Sequence, residues 1–175
     1  PQLDNAERGF SYRFDGPLDM RMDIRQERTA SYLLNNSDKS ELQRIIEKNS
    51  DERFAARIAA SIIRNRPISS TLEFAELVKN AIPAAARRRG GHPAKRTFQA
   101  IRMEVNQESE ELIQGVTASI NRLRPKGCGI VISYHSGEDR IVKKLFRNVV
   151  TGGCTCPSKL PCVCGAVSKG QLPHS

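Results

Sequence analysis

The chain has 175 residues, 38% of them hydrophobic and 27% charged, with 28 Lys and Arg against 19 Asp and Glu and a formal charge of +9. That length suits a helix-leaning globular chain with one sizeable core rather than two. No run approaches the ~18 consecutive apolar residues of a membrane span, and no secretory signal is visible, so a cytoplasmic location is expected. Residue 1 is Pro rather than Met, so processing or truncation is expected.

Residues 1–24 lack helical period and read as a loop. Phe10, Tyr12 and Phe14 alternate with polar residues, and Asp15-Gly16-Pro17 is a turn signal ahead of Leu18-Asp19-Met20-Arg21-Met22-Asp23. From about Arg25 the pattern turns helical. One segment runs to about Leu34 and stops at Asn35-Asn36. The next is capped by Ser37 or Asp38, with Leu42, Ile45 and Ile46 on one face. A third follows Asp51, turns Phe54, Ala55, Ile58, Ala59 and Ile62 inward, and halts before Pro67. Ser70 caps a fourth, carrying Leu72, Phe74, Ala75, Leu77 and Val78 toward Pro83. These helices make residues 25–90 a helical unit.

Residues 91–150 change pattern. Arg87 to Pro93 reads as a basic loop, followed by helices over about 94–106 and 108–123. Gly129 to Tyr134 is apolar and β-branched without alternation, which predicts a strand buried on both faces, as in a parallel sheet. His135-Ser136-Gly137 leaves its carboxyl end, where ligands of open α/β sheets gather, and a helix follows over 138–149. His135 is therefore a candidate for chemistry, against the plainer reading of a structural loop histidine. Residues 151–175 form a Cys-rich tail.

The charge is segregated. Residues 1–82 hold 13 basic and 13 acidic side chains, whereas residues 83–175 hold 15 basic and 6 acidic. Pro83 to Met103 carries Arg87, Arg88, Arg89, Lys95, Arg96 and Arg102 and no acid, which implies a polyanionic partner unless the loop is simply solvated surface. Cys154, Cys156, Cys162 and Cys164 form two Cys-x-Cys knuckles. They could hold a tetrahedral zinc ion, although structural sites favour longer spacings within each knuckle; reduced thiols are the alternative. Cys128 reads as a small buried hydrophobe.

Together, Pro1-Gln2-Leu3-Asp4, Arg8-Gly9-Phe10-Ser11, Asp15 to Asp23 (DGPLDMRMD), His92 to Arg102 (HPAKRTFQAIR), Val105-Asn106 and Ile132 to Val142 (ISYHSGEDRIV) resemble, in order and spacing, the ribosomal RNA small subunit methyltransferase H family, also called MraW. The resemblance covers nearly the whole chain. It implies an S-adenosylmethionine-dependent enzyme that methylates the exocyclic N4 of a cytidine in 16S ribosomal RNA of the small ribosomal subunit, with no membrane partner. The implied fold is α/β: an incomplete Rossmann-like methyltransferase domain with a helical insertion, this chain being mostly α. In such proteins the position of Gln2 contacts the cofactor, and residues 1–24 follow a strand of the cofactor domain. The Gly-rich cofactor loop would precede residue 1, and a closing segment would follow residue 175. Gly137 stands where family members usually have Leu.

A cytosine amine is a weak nucleophile because its lone pair is delocalised into the ring. A site must accept its hydrogen bonds, take up its proton and align it for attack. The base must also leave its stack. Asp19 is the first candidate amine acceptor and His135 the second; pairing of Asp15, Asp19 and Asp23 with nearby Arg13, Arg21 and Arg25 is the alternative. Arg87, Arg88, Arg89, His92, Lys95 and Arg96 are the candidates to grip RNA. A non-catalytic RNA-binding protein, with or without zinc, is the second functional reading. A DNA-binding module is disfavoured, since no helix-turn-helix signature is present.

Overall fold

Short polar side chains set where the helices of the first half begin. In the computed structural model, which describes residues 5–87, 91–124 and 126–152, Thr29 accepts from the Tyr32 N–H and opens α1 (Ala30–Asn36). Asp38 accepts from the Glu41 N–H at 2.8 Å and opens α2 (Lys39–Asn49). Ser70 does the same for α4 (Thr71–Ala81) through the Glu73 N–H. Each satisfies a donor that the first helical turn leaves without a partner. Between them, α3 (Ala55–Arg64) has no side-chain cap; Glu52 instead accepts from the Phe54 N–H just ahead of it. A short α5 (Ala84–Arg87) and α6 (Lys95–Val105) complete the run.

These helices belong to one of two compact units, Pro1–Gln107 and Glu108–Ser175. In the first, α2 packs on α3 and α6, α3 on α4, and α1 on α6 and α3. Leu33, Leu34, Leu42, Ile45, Ile46, Ile58, Ile62, Phe74 and Val78 are fully buried, and Phe10, Leu18 and Met20 join the same core from the preceding loop. Each such side chain contributes about 1.5–3 kcal/mol by leaving water. Helix α6 packs within this first compact unit, on α1 and α2.

One local expectation is corrected. The first helix starts at Ala30 rather than about Arg25, because Arg21 donates to the carbonyls of Ile24 and Gln26 at 3.0 and 2.6 Å and holds that stretch as a loop. It ends at Asn36, at the expected Asn35-Asn36 stop. Asn35 exchanges two hydrogen bonds with the Ile68 backbone, donating to its carbonyl at 3.0 Å and accepting from its N–H at 2.9 Å. Of the apolar residues that α4 carries, Leu72 in the first turn is exposed, whereas Phe74, Ala75, Leu77 and Val78 are buried. The Asp15-Gly16-Pro17 segment docks on that helix: the Gly16 carbonyl accepts from the Thr71 N–H at 2.9 Å, and Pro17 bridges to Ser70. A Cβ on Gly16 would lie 2.1 Å from the Ala6 carbonyl oxygen, so the approach requires glycine.

The second unit contains α7 (Glu108–Asn121) packed on α8 (Ser136–Thr151). The buried strand expected over Gly129 to Tyr134 is not formed. Ile130, Ile132 and Tyr134 are 85%, 77% and 91% exposed. A strand needs a neighbour to pair its backbone groups and cover its face. The described residues contain no strand, only an isolated bridge between Pro17 and Ser70 in the first unit. Cys128, expected to be buried, is exposed on the same segment.

Candidate nucleic-acid interface

The acidic loop is built around one guanidinium. Arg21 forms a two-pronged pair with Asp19, Nε to Oδ1 at 2.7 Å and Nη2 to Oδ2 at 2.8 Å, and its backbone N–H adds a third bond to Oδ1. Paired this way, the Asp19 carboxyl titrates below the ordinary carboxylate range, Arg21 being the main cause. Arg25 does the same at the surface for Asp23, pulling it down to about 2. Asp15 takes a different partner set: its pKa is lowered first by Ser70, and its carboxylate accepts from the Gly16 and Leu72 N–H groups. The pairing alternative is thus observed for Asp19 and Asp23. An ionised Asp19 accepts hydrogen bonds well and takes up a proton reluctantly.

Asn106, at the end of α6, fixes this loop from across the unit. Its Oδ1 accepts from the Met22 N–H at 2.6 Å, and its Nδ2 donates to the carbonyls of Met20 at 2.7 Å and Arg102 at 2.8 Å. Composition and spacing did not single out this role. The sequence signals are its place in the Val105-Asn106 segment of the family resemblance and an amide directly after a helical run, which reads as an ordinary helix end.

The basic loop closes on the other end of α6. His92 Nδ1 accepts from the Ala94 N–H at 3.2 Å, so the ring serves as the cap that Ala94 cannot be. The ring stacks on Tyr12, with centroids 4.4 Å apart and planes 14° from parallel. Tyr12 meets Phe98 edge-on at 5.8 Å, and Phe98 meets Phe74 at 5.0 Å. Burial, then the nearby charges of Lys79 and Arg13, lower the His92 pKa, which favours the neutral imidazole at pH 7.

Two clefts flank this histidine. One, of about 350 Å³, is lined by Glu52, Arg53, Arg87, His92, Lys95 and Arg96 among others. The other, of about 590 Å³, is lined by Tyr12, Glu76, Lys79, Arg87 and His92 among others. Arg87, expected as a phosphate contact, also donates to the carbonyls of Ile82 at 2.7 Å and Asn80 at 3.4 Å, closing the end of α4. Arg96 donates to the Asp51 carbonyl at 3.2 Å. Arg88 and Arg89 lie outside the described residues, as do Gln2 and the cysteines Cys154, Cys156, Cys162 and Cys164. Among the described residues no cluster of three or more His, Cys, Asp or Glu is placed to hold a metal.

His135 sits in the second unit, and its surroundings differ from those expected. It does not leave a strand; it caps α8, Nδ1 accepting from the Glu138 N–H at 3.3 Å. With Nδ1 occupied as an acceptor, Nε2 carries the proton. That nitrogen lies 3.1 Å from Glu138 Oε1, yet outside hydrogen-bond geometry. Glu138 Oε2 accepts from the Tyr134 N–H instead, at 2.9 Å. Gly137 lies against the ring: a Cβ there would come within 3.2 Å of His135 Nδ1, so a larger residue requires the ring to shift by a few tenths of an ångström.

The first unit is therefore a helical module that presents a cation-lined, ring-floored cleft at the start of α6 and an arginine-latched acidic loop at its end. Across residues 1–172 the sequence matches the model of the MraW methylase family, and the chain belongs to that family. It is 52% identical to the ribosomal RNA small subunit methyltransferase H of Halothermothrix orenii, over 94% of this chain and 54% of that protein. The proteins of the same name from Thermobifida fusca and Geobacter sulfurreducens are 53% and 50% identical, over 92% and 98% of this chain and 49% and 56% of theirs. The chain thus spans about half the length of these curated relatives.

Proposed function

We propose that this chain takes part in S-adenosylmethionine-dependent methylation of the exocyclic N4 of a cytidine in 16S ribosomal RNA, on the small ribosomal subunit in the cytoplasm. The observation that carries this is the cation-lined cleft at the start of α6, in a chain whose relatives bear the name of an rRNA methyltransferase. Lys95 and Arg96, with Arg87 behind them, would neutralise RNA phosphates and position the strand without reading its sequence. Arg88 and Arg89 would extend that surface.

Asp19 would receive the cytosine amine as a hydrogen-bond acceptor. Among the described residues its Oδ2 accepts from Arg21 Nη2 alone, which leaves lone-pair capacity for an amine N–H. Because Arg21 keeps it ionised, Asp19 orients the amine rather than removing its proton. His135 is less suited to that removal, since one ring nitrogen caps α8 and the other carries the hydrogen.

S-Adenosylmethionine, when bound, supplies an electrophilic methyl group. The described residues do not provide its cradle: among them no strand runs into a Gly-rich turn and helix, as the proposed Rossmann-like α/β domain requires. Gln2 remains the proposed cofactor contact. The same fact favours a second reading, in which this chain binds RNA without catalysing transfer. Calorimetric titration with S-adenosylmethionine, followed by mapping of labelled methyl groups on 16S RNA, separates the two. Saturable binding and label at a cytidine N4 support methylation. RNA binding without either supports the second reading. For the four tail cysteines, about one zinc per purified chain would support a structural site, and no zinc would remove it.

A further inference from the structure

The rings of the first unit form a series that runs from core to surface. Phe74 is fully buried and Phe98 nearly so, Tyr12 is half-buried, and His92 is exposed. Each ring rests on the next, and the last is fixed twice, by the stack on Tyr12 and by its Nδ1 acceptance from the Ala94 N–H. A side chain held this way has already lost its rotamer freedom, so a ligand that uses it does not have to order it. With one face against Tyr12, the other face of the imidazole is the one turned outward, and the same residue lines both flanking clefts. Lys79, Arg53, Lys95 and Arg96 line those clefts, opposed by Glu52 and Glu76. Lys79 is itself paired with Glu76 at 2.9 Å, so of these cations Lys95 and Arg96 are the nearest in sequence to the ring. A flat aromatic face flanked by cations matches what single-stranded nucleic acid offers: a base to stack and phosphates on either side.

We infer that the outward face of His92 is a stacking platform for one unstacked base of single-stranded RNA, with Lys95 and Arg96 on a flanking phosphate. This rests on the RNA-binding reading above and adds a defined subsite to it. A neutral imidazole suits the role, since its unprotonated ring offers a π-face and leaves Nε2–H as an outward donor.

The test uses the full 175-residue chain and a single-stranded RNA oligonucleotide carrying 2-aminopurine, whose fluorescence falls when the base stacks. Wild type is expected to bind and quench. H92N keeps an acceptor for the Ala94 N–H but has no ring; it is expected to lose the quench and about 5- to 100-fold in affinity. H92F, which keeps a ring and loses the cap, is expected to stay within a few-fold of wild type. All three should share one slope of log affinity against log salt, while the double change K95A and R96A flattens the slope and keeps the quench. An oligonucleotide with an abasic site in place of 2-aminopurine should bind wild type as weakly as H92N binds the intact strand. It should cost H92N nothing further.

Retention of affinity and quench by H92N overturns the platform, as does equal loss in H92N and H92F. An abasic site that leaves wild-type binding unchanged overturns it without any substitution. Failure of wild type to bind the oligonucleotide at low salt overturns the RNA-binding reading itself.

Discussion

Residues 5–107 and residues 108–152 both carry amphipathic helices, and they use them differently. In the first unit the apolar stripes of α1, α2, α3, α4 and α6 close on one another and on Phe10, Leu18 and Met20. In the second, α7 and α8 meet, yet Val116 and Val142 are the only buried hydrophobic side chains among the described residues there. Ile113, Leu123, Ile130, Ile132, Tyr134 and Val150 stay exposed. Amphipathicity therefore states only that a face wants cover. Whether the described residues supply it separates a core from an open apolar surface.

That contrast is breakable by experiment. The largest effect is expected in the first unit: Phe74→Ala should cost about 3–5 kcal/mol, whereas Val142→Ala should cost about 1 kcal/mol or less, both read from urea midpoints. Equal costs would show that the second unit is as tightly packed as the first. Hydrogen exchange adds a site-resolved version, with α2 and α6 amides protected longer than those of α7 and α8.

A middle-sized effect should follow from Asn106→Ala. Losing the bonds to Met20, Met22 and Arg102 is expected to cost about 2–3 kcal/mol and to speed exchange at the Met22 amide, while α7 and α8 remain unchanged. The smallest is Asp19→Asn. Its pair with Arg21 is partly exposed and screened, so about 1 kcal/mol is expected at neutral pH. Because the folded pKa of Asp19 is depressed, this contribution is present in full above the unfolded value near ~3.9 and is lost as pH falls through the folded value. The wild-type and D19N denaturation midpoints should therefore converge in acid. A gap that persists at the lowest accessible pH would assign the effect to packing.

The same contrast explains what was legible in the sequence. Asp38 and Ser70 announced α2 and α4 because a cap acts on a donor three residues away, within reach of local reading. The buried faces of α2 and α3 followed from periodicity alone. The misplaced start of α1 depends on side-chain geometry that a hydrophobic period does not carry: Arg21 collects the carbonyls of Ile24 and Gln26 and holds that stretch as a loop. The run from Gly129 to Tyr134 has strand composition, but composition cannot provide a paired neighbour. At the candidate site, the basic segment and Asp19 were visible as charge, and the pairing alternative for Asp19 was visible as spacing. The stack of Tyr12 on His92 was not, because eighty positions separate two residues with no complementary pattern.

Helix α6 carries a different reader at each end. Its 11 residues span about 16 Å. His92 caps one end while stacking on Tyr12, and Asn106 terminates the other while holding Met20 and Met22. The helix therefore works as a caliper. The gap between the ring and the latched loop is set by hydrogen bonds along a rigid rod, so inserting or deleting one residue within α6 would rotate one jaw by about 100° relative to the other.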